Sequence, residues 1–290
     1  MAAPDAASTR SPWETHRSRA EVLRGRYPFA AEMLTVYLAL LDVWEDGGNL
    51  ARSDRPEPDQ LARWAATRVL PPVVKATEAA GPEPLAAAAR ELFEAGGVED
   101  WLTGWLTGGE LPPVERYLAR ASLYAPLAAL GTDAGLACAD DPAPRGGRRC
   151  PCCGGPPQLS FRSPVEDRLV TGRRHLVCAR CGLSWAYSGS ACPSCGEASG
   201  SRRTVYAEQR DGPVVGRDAT DDEPGPDAEP PTFPHLRIDA CTSCERYLID
   251  VDLGRDSRAV PEVDELAALP LDLYAAERGL FKITPNLMGF

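Results

Sequence analysis

Cys150-Pro-Cys-Cys153-Gly154 decides how the rest of this 290-residue chain is read, because its two-residue spacing returns at Cys178/Cys181, Cys192/Cys195 and Cys241/Cys244. Eight of the ten cysteines fall into these four Cys-x-x-Cys pairs, the ligand count of two tetrahedral metal sites. The spacing lets one tight turn aim both thiolates at a single ion while its backbone N–H groups point at the sulfurs. Gly154, Gly182 and Gly196 follow three of the pairs and can take the positive φ such a turn needs. Glu245 holds that position in the fourth, where some backbone strain is expected. Disulfides suit short exported chains, and no export signal is visible here. A dithiol redox centre would use one pair and leave three unexplained, whereas an iron–sulfur cluster shares the ligand type. The reading adopted is two mononuclear sites holding zinc or iron, zinc being preferred for a recombinant sample.

Outward from the cysteines, short stretches alternate in the manner of strands. Gln158–Arg162, Arg174–Cys178 and Leu183–Tyr187 flank the first two pairs, and Arg203–Glu208, Leu236–Asp239 and Tyr247–Val251 flank the others. Knuckle, strand, turn, strand, knuckle is a small antiparallel ribbon closed by metal. Joining first pair to second and third to fourth gives two tandem units, 145–190 and 191–256, with local connections. An interleaved pairing, first with third, stays open at this point. The acidic, proline-rich stretch 217–231 reads as a solvated loop within the second unit.

The region before residue 140 has helical periodicity. Ala30, Met33, Leu34, Tyr37, Leu40, Leu41 and Trp44 recur at three- and four-residue steps, and Gly47-Gly48-Asn49 is the expected stop. Pro56–Pro58 opens a second helix that Pro71-Pro72 interrupts, and further helices are expected before Gly96-Gly97, Gly108-Gly109 and Gly131. The tryptophans and tyrosines on these stripes read as core. Residues 1–14 read as a disordered tail, 15–140 as a helical domain, 139–149 as a linker, and 258–290 as a C-terminal helix, kinked at Pro270, with a docking tail. The expected class is α+β.

A net charge of −11 disfavours nucleic acid as a partner, although residues 145–206 carry ten arginines against Glu166, Asp167 and Glu197. The apolar run Met33–Val43 is too short to span a bilayer, where about 20 residues are needed. A reducing, cytoplasmic setting, in which thiolates persist, is the expectation. Phosphate-binding loops, nucleophile elbows and His-Glu-x-x-His are absent, and three histidines are scant material for acid–base work. Closed four-thiolate sites offer water no coordination position, so no enzyme is expected. Cys152 reads as a filler of the first knuckle, Cys138 as packing, and His16 as a solvated side chain.

Cys150-Pro-Cys-Cys153-Gly154, Arg174-His-Leu-Val-Cys178-Ala-Arg-Cys181 with Trp185, Cys192-Pro-Ser-Cys195, Cys241-Thr-Ser-Cys244 with Tyr247-Leu248, and the helix from Asp264 to Gly279 together resemble the formate dehydrogenase accessory protein family of the FdhE type. The resemblance implies a cytoplasmic protein with a helical N-terminal domain and two rubredoxin-like knuckle units. It also implies a non-catalytic maturation factor that binds the catalytic subunit of a formate dehydrogenase, or a related molybdenum or tungsten oxidoreductase, before export. Arg173, Arg174, His175, Trp185 and Tyr187, beside the second pair, are the expected partner-binding residues, since such surfaces favour Arg, Trp and Tyr. The competing readings are a zinc-ribbon nucleic-acid-binding protein and an iron-containing redox protein.

Overall fold

The computed structural model describes residues 12–135, 147–164, 172–208 and 231–290. The expectations for the first eleven residues, for Cys138 and for most of the linker and acidic loop lie outside them.

Among the described residues eight α-helices precede the sheet: α1 (Pro12–Arg26), α2 (Ala31–Asp54), α3 (Leu61–Arg68), α4 (Leu70–Ala80), α5 (Glu83–Ala95), α6 (Val98–Thr107), α7 (Pro113–Leu130) and the single turn α8 (Thr132–Gly135). Prolines stand in the first turn of α4, α5 and α7, where the missing N–H has no intrahelical partner to lose. Pro71-Pro72 therefore starts a helix as much as it interrupts one. The long helix α2 does not stop at Gly47-Gly48; it runs through to Asp54 and ends at Arg55 in the left-handed region. A Cβ on Gly47 would meet Val69 Cγ1 at 3.3 Å, and one on Gly48 would meet the Ala125 carbonyl at 3.7 Å. Gly47 thus lets α2 close on Val69 at the head of α4, whereas a Cβ at Gly48 would make an ordinary contact with α7; packing outweighs the roughly 1 kcal/mol helix cost of each glycine.

Helix α1 has no counterpart in the helices expected from sequence. Its signal is thin: Ala20 and Leu23 are buried, Tyr27 follows just beyond its end, and the half-buried Trp13 packs on Trp44 and Tyr124. Arg19 supplies the rest, bonding Asp256 at 2.8 Å and Asp264 through Nε at 2.9 Å, so a residue near each end of the chain meets in one buried ion pair. His16 is not solvated. Its Nδ1 lies 2.6 Å from the Tyr37 hydroxyl, its ring stacks on that tyrosine, and burial lowers its pKa to about 4.

Among the described residues seven strands form one sheet: β1 (Pro157–Arg162), β2 (Arg174–Cys178), β3 (Ser184–Ala186), β4 (Arg203–Ala207), β5 (Leu236–Cys241), β6 (Arg246–Asp252) and β7 (Phe281–Lys282). The order is β3-β2-β1-β6-β5-β4, with β7 beside the start of β6. Each half is an antiparallel ribbon, as the alternation predicts. What joins them is a parallel pairing of β1 with β6, Ser160 facing Asp250. One face carries Leu236, Ile238, Ala240, Ile249 and Val251 and shares a core with α1, α2, α4 and α7. The alternate positions carry buried charge: Asp250 accepts from Ser160, from Arg162 at 2.9 Å and from Arg237 at 2.7 Å, while Asp239 pairs with Arg203 and, at 2.6 Å, with Arg174.

After the sheet come α9 (Pro261–Asp264), a 3-10 turn and α10 (Leu269–Glu277), with Pro270 in the first turn of α10. The tail docks on the chain itself. Lys282 is buried between Glu265 at 2.8 Å and Asp272 at 3.1 Å, and the Pro285 carbonyl accepts from Arg120 of α7 at 2.6 Å. Among the described residues no helix is long and apolar enough to cross a membrane.

Glu262 faces a small cavity lined by Tyr37, Trp44, Arg120 and Tyr124, and burial raises its carboxyl to about 7. The folded chain therefore binds a proton more tightly than the unfolded one. Its stabilising effect is present below the ordinary carboxylate range and is lost as pH rises through about 7. Glu262→Gln should flatten the fall in stability between pH 5 and pH 8 by about 1–3 kcal/mol, read by urea denaturation at both values. An unchanged slope would remove Glu262 as its source.

Candidate metal centres

The first centre forms because β1 and β2 are antiparallel with Pro157 opposite Cys178, which brings the turn before β1 against the turn after β2. Cys150, Cys153, Cys178 and Cys181 converge there, with Sγ atoms 3.7 Å apart for Cys150–Cys181, 3.4 Å for Cys153–Cys178 and 3.5 Å for Cys153–Cys181. The second centre follows the same logic with β4 and β5, where Arg203 lies opposite Cys241. Cys192–Cys244 and Cys195–Cys241 are each separated by 3.8 Å. In each set of four, all sulfurs lie within 4.8 Å of one another. The pairing is sequential, first with second and third with fourth.

These separations test the donor set. A disulfide needs about 2.05 Å. A tetrahedron of thiolates at about 2.3 Å from zinc has edges of roughly 3.8 Å, which both clusters approach. The turns behave as metal knuckles do: Arg180 N–H points at Cys178 Sγ (3.3 Å) and Ser194 N–H at Cys192 Sγ (3.4 Å). Gly154, Gly182 and Gly196 sit at φ 66°, 69° and 86°, each donating its N–H to the carbonyl of the first cysteine of its pair. Hydrogen bonds from neighbouring thiols push Cys181 far up, and burial does the same for Cys178 and takes Cys192 to about 12. Cys150 and Cys241 are shifted down instead, the first by hydrogen bonds among the thiols and the second, against burial, by backbone N–H donors. Four thiolates brought within 4.8 Å of one another would repel without a cation among them, and four sulfurs leave it no open position. Either site can hold a metal ion; the ligand set accepts zinc and iron alike.

The fourth knuckle carries the strain expected of it. Glu245 is held at φ 57°, while its carbonyl accepts from Phe281 N–H at 2.8 Å and so seats β7. Glu245→Gly keeps that carbonyl and relieves the left-handed backbone, and should raise stability by up to about 1 kcal/mol in thermal denaturation. A loss of stability would show that the side chain contributes more than the backbone costs.

The two centres differ in their surroundings. The first is buried on all four cysteines and packs on Leu61, Leu102, Trp105, Leu123 and Leu127 from α3, α6 and α7. A Cβ on Gly155 would lie 2.7 Å from Cys178 Sγ, and one on Gly182 would lie 2.7 Å from the Tyr124 hydroxyl, so glycine lets both the cluster and α7 close in. Arg180 donates to the Cys153 carbonyl at 3.2 Å and lies over the Trp105 ring. Cys152 stands outside the set of four and donates its S–H to the carbonyl of Gly131, at the end of α7 (3.2 Å). In the second centre Cys195 is exposed and Cys244 half-buried.

Of the residues expected to meet a partner, Arg173 is exposed, and His175 is half-buried against the Phe161 ring. Trp185 donates its indole N–H to the Gly147 carbonyl at 2.6 Å, and Tyr187 its hydroxyl to the Cys192 carbonyl at 3.0 Å, strapping β3 to the loops of both centres. Arg174 corrects the expectation. It is 2 % exposed, because strand alternation turns it onto the charged face of the sheet, where Asp239 pairs with it.

A helical cap over one sheet that closes two four-thiol sites defines a class: a protein with paired, closed metal knuckles. No family model matches the chain. It is similar to the protein FdhE homologs of Aquifex aeolicus (28 % identity over 141 residues, 49 % of this chain and 41 % of the relative) and Pseudomonas aeruginosa (31 % over 139 residues, 48 % and 38 %). The chain thus spans about two fifths of the length of the curated relatives it matches. The crystal structure of the FdhE protein from Pseudomonas aeruginosa shares the fold, with a TM-score of 0.63 over 95 % of this chain and 94 % of that one at 22 % identity. In sequence over about half its length, and in fold over nearly all of it, this chain is similar to FdhE proteins.

Proposed function

We propose that this protein is a formate dehydrogenase accessory protein: a non-catalytic, cytoplasmic maturation factor that binds the catalytic subunit of the enzyme and carries one metal ion in each four-cysteine site. The closed first centre is the observation that supports this reading best. Four buried sulfurs between the cap and the sheet leave no position for substrate or water, which suits a clip that holds a surface in shape. The exposed edge near that centre, with Arg173, His175, Trp185 and Tyr187, is the recognition surface in this reading. Capture from cell extract with tagged protein tests it. A formate dehydrogenase catalytic subunit should be recovered, and less of it with Arg173→Glu; an eluate lacking any oxidoreductase catalytic subunit would overturn the proposal.

Exposure of Cys195 favours one second reading, in which iron at the second centre exchanges electrons with a partner. Metal analysis with an absorption spectrum decides it. Colourless zinc at both sites excludes electron transfer, and a red ferric-thiolate band supports it.

A further inference from the structure

Strand β4 closes one end of the sheet, and no strand lies along its outer edge among the described residues. Its register says which groups that edge presents. The Arg202 carbonyl accepts from Thr242 N–H at 2.9 Å, so Arg202 bonds inward, and the alternation of an antiparallel pair then turns Thr204 and Tyr206 to β5 as well. Arg203, Val205 and Ala207 therefore point their N–H and C=O groups outward. Arg203 N–H is taken by the Gly200 carbonyl. The backbone groups of Val205 and Ala207 have no partner among the described residues. An edge of this kind is a template for another strand.

The side chains say which strand fits. Laid antiparallel on itself about a two-fold axis at Val205, β4 sets Val205 against Val205 of a second copy. The same register sets Thr204 against Tyr206, Arg203 against Ala207 and Arg202 against Glu208, each of these pairs occurring twice. Val205 is 55 % exposed, an apolar side chain that this pairing covers. Arg202 and Glu208 are exposed and opposite in charge, and Glu208 uses only Oε2 within its own chain, on Phe233 N–H at 2.9 Å. Apolar β-branched pairs and opposite charges that face one another across strands are favourable, whereas like charges are not. Moving the axis to Arg203 would set that arginine against itself, and any axis other than Val205 leaves an end of the strand unpaired. A strand of another protein finds the same backbone groups, but the match of β4 to itself favours a second copy.

We infer that two copies of this chain associate edge to edge through β4, about a two-fold axis at Val205, so that their sheets run on as one. A two-fold contact of this kind closes at two copies. Strand β3, beside the recognition residues proposed above, is at the other end of the sheet, so the dimer carries that surface at both of its far ends. The inference goes beyond the client reading and does not depend on it.

Five residues of edge make an interface short of the roughly 1,200 Å² of stable complexes, so a dissociation constant on the order of 100 μM is expected. Sedimentation equilibrium of the full-length metal-loaded protein, from about 5 to about 500 μM, reads it: the average mass should climb from one chain towards two. Val205→Lys sets like charges opposite each other at an exposed position. It should weaken association at least about tenfold, with the thermal midpoint and metal content as in the parent protein. Arg202→Glu and Glu208→Lys should each weaken it by about fivefold. An equimolar mixture of these two should regain the parent's association, because the mixed pair again has opposite charges at both ends of the strand. A protein that stays a single chain throughout the range, a dimer untouched by Val205→Lys, or a mixture that associates no better than its components would overturn the inference.

Discussion

Replacing Cys178 and Cys181 together by alanine is expected to remove one of two metal equivalents and to unfold the protein beyond the knuckle itself. The reason is location. These sulfurs lie 3.4–3.7 Å from Cys153 and Cys150 in a core that also contains Leu61, Trp105, Leu123 and Leu127, so the site is one of two buried contacts between the helical cap and the sheet region. Structural zinc sites contribute about 10–16 kcal/mol of apparent binding energy in isolated peptides, against a whole-protein stability of about 5–15 kcal/mol. Even a fraction of the first exceeds most of the second. The corresponding change of Cys192 and Cys195 should also cost one metal equivalent, but Cys195 is exposed and the second site borders β4–β6, with Tyr187 and Arg148 bonding the Cys192 and Ser194 carbonyls. That variant should keep its helical circular dichroism and a cooperative, lowered melting transition. Metal analysis with thermal denaturation checks both. Equal loss of stability from the two variants would show that burial of the first centre does not set its weight.

The second large effect concerns the charged face of the sheet. Asp239→Ala should destabilise the fold by about 3–5 kcal/mol, because it leaves Arg174, 2 % exposed, without its 2.6 Å carboxylate partner and also strips Arg203 of a bond. Removing both charges should cost much less. Arg174→Met with Asp239→Leu fills similar space without buried charge, and such replacements are often neutral. Urea denaturation of the single and double variants measures the coupling. A single variant within about 1 kcal/mol of the parent would mean that water reaches Arg174 and the face is less dry than its burial indicates.

Much of this was readable in advance because it is local. The two-residue cysteine spacing, the glycine after three of the pairs and the alternation of six strands are properties of segments shorter than ten residues, and the structure has each of them. Even the strain at Glu245 follows from a missing glycine. The misreadings came from positions whose meaning depends on a distant neighbour. Gly47-Gly48 looks like a stop until Val69 and Ala125 are set against it. His16 looks solvated until Tyr37 covers it, and Arg174 looks like a recognition residue until Asp239, more than sixty residues away, is brought across the sheet. Helix α1 was hidden because its chief anchor, Arg19, is polar and bonds Asp264 near the other end of the chain.

By itself, then, the sequence determined the donor set, the knuckle turns, the ribbons and the helical nature of the first half, all of which follow from backbone preference and short-range periodicity. Only the tertiary structure decided which knuckles come together, that a parallel β1–β6 pairing fuses the ribbons into one sheet, and that one centre is sealed under the cap while the other meets solvent. Those outcomes depend on strand register and helix docking, in which contacts far apart in sequence are weighed against one another, and no single segment carries that sum.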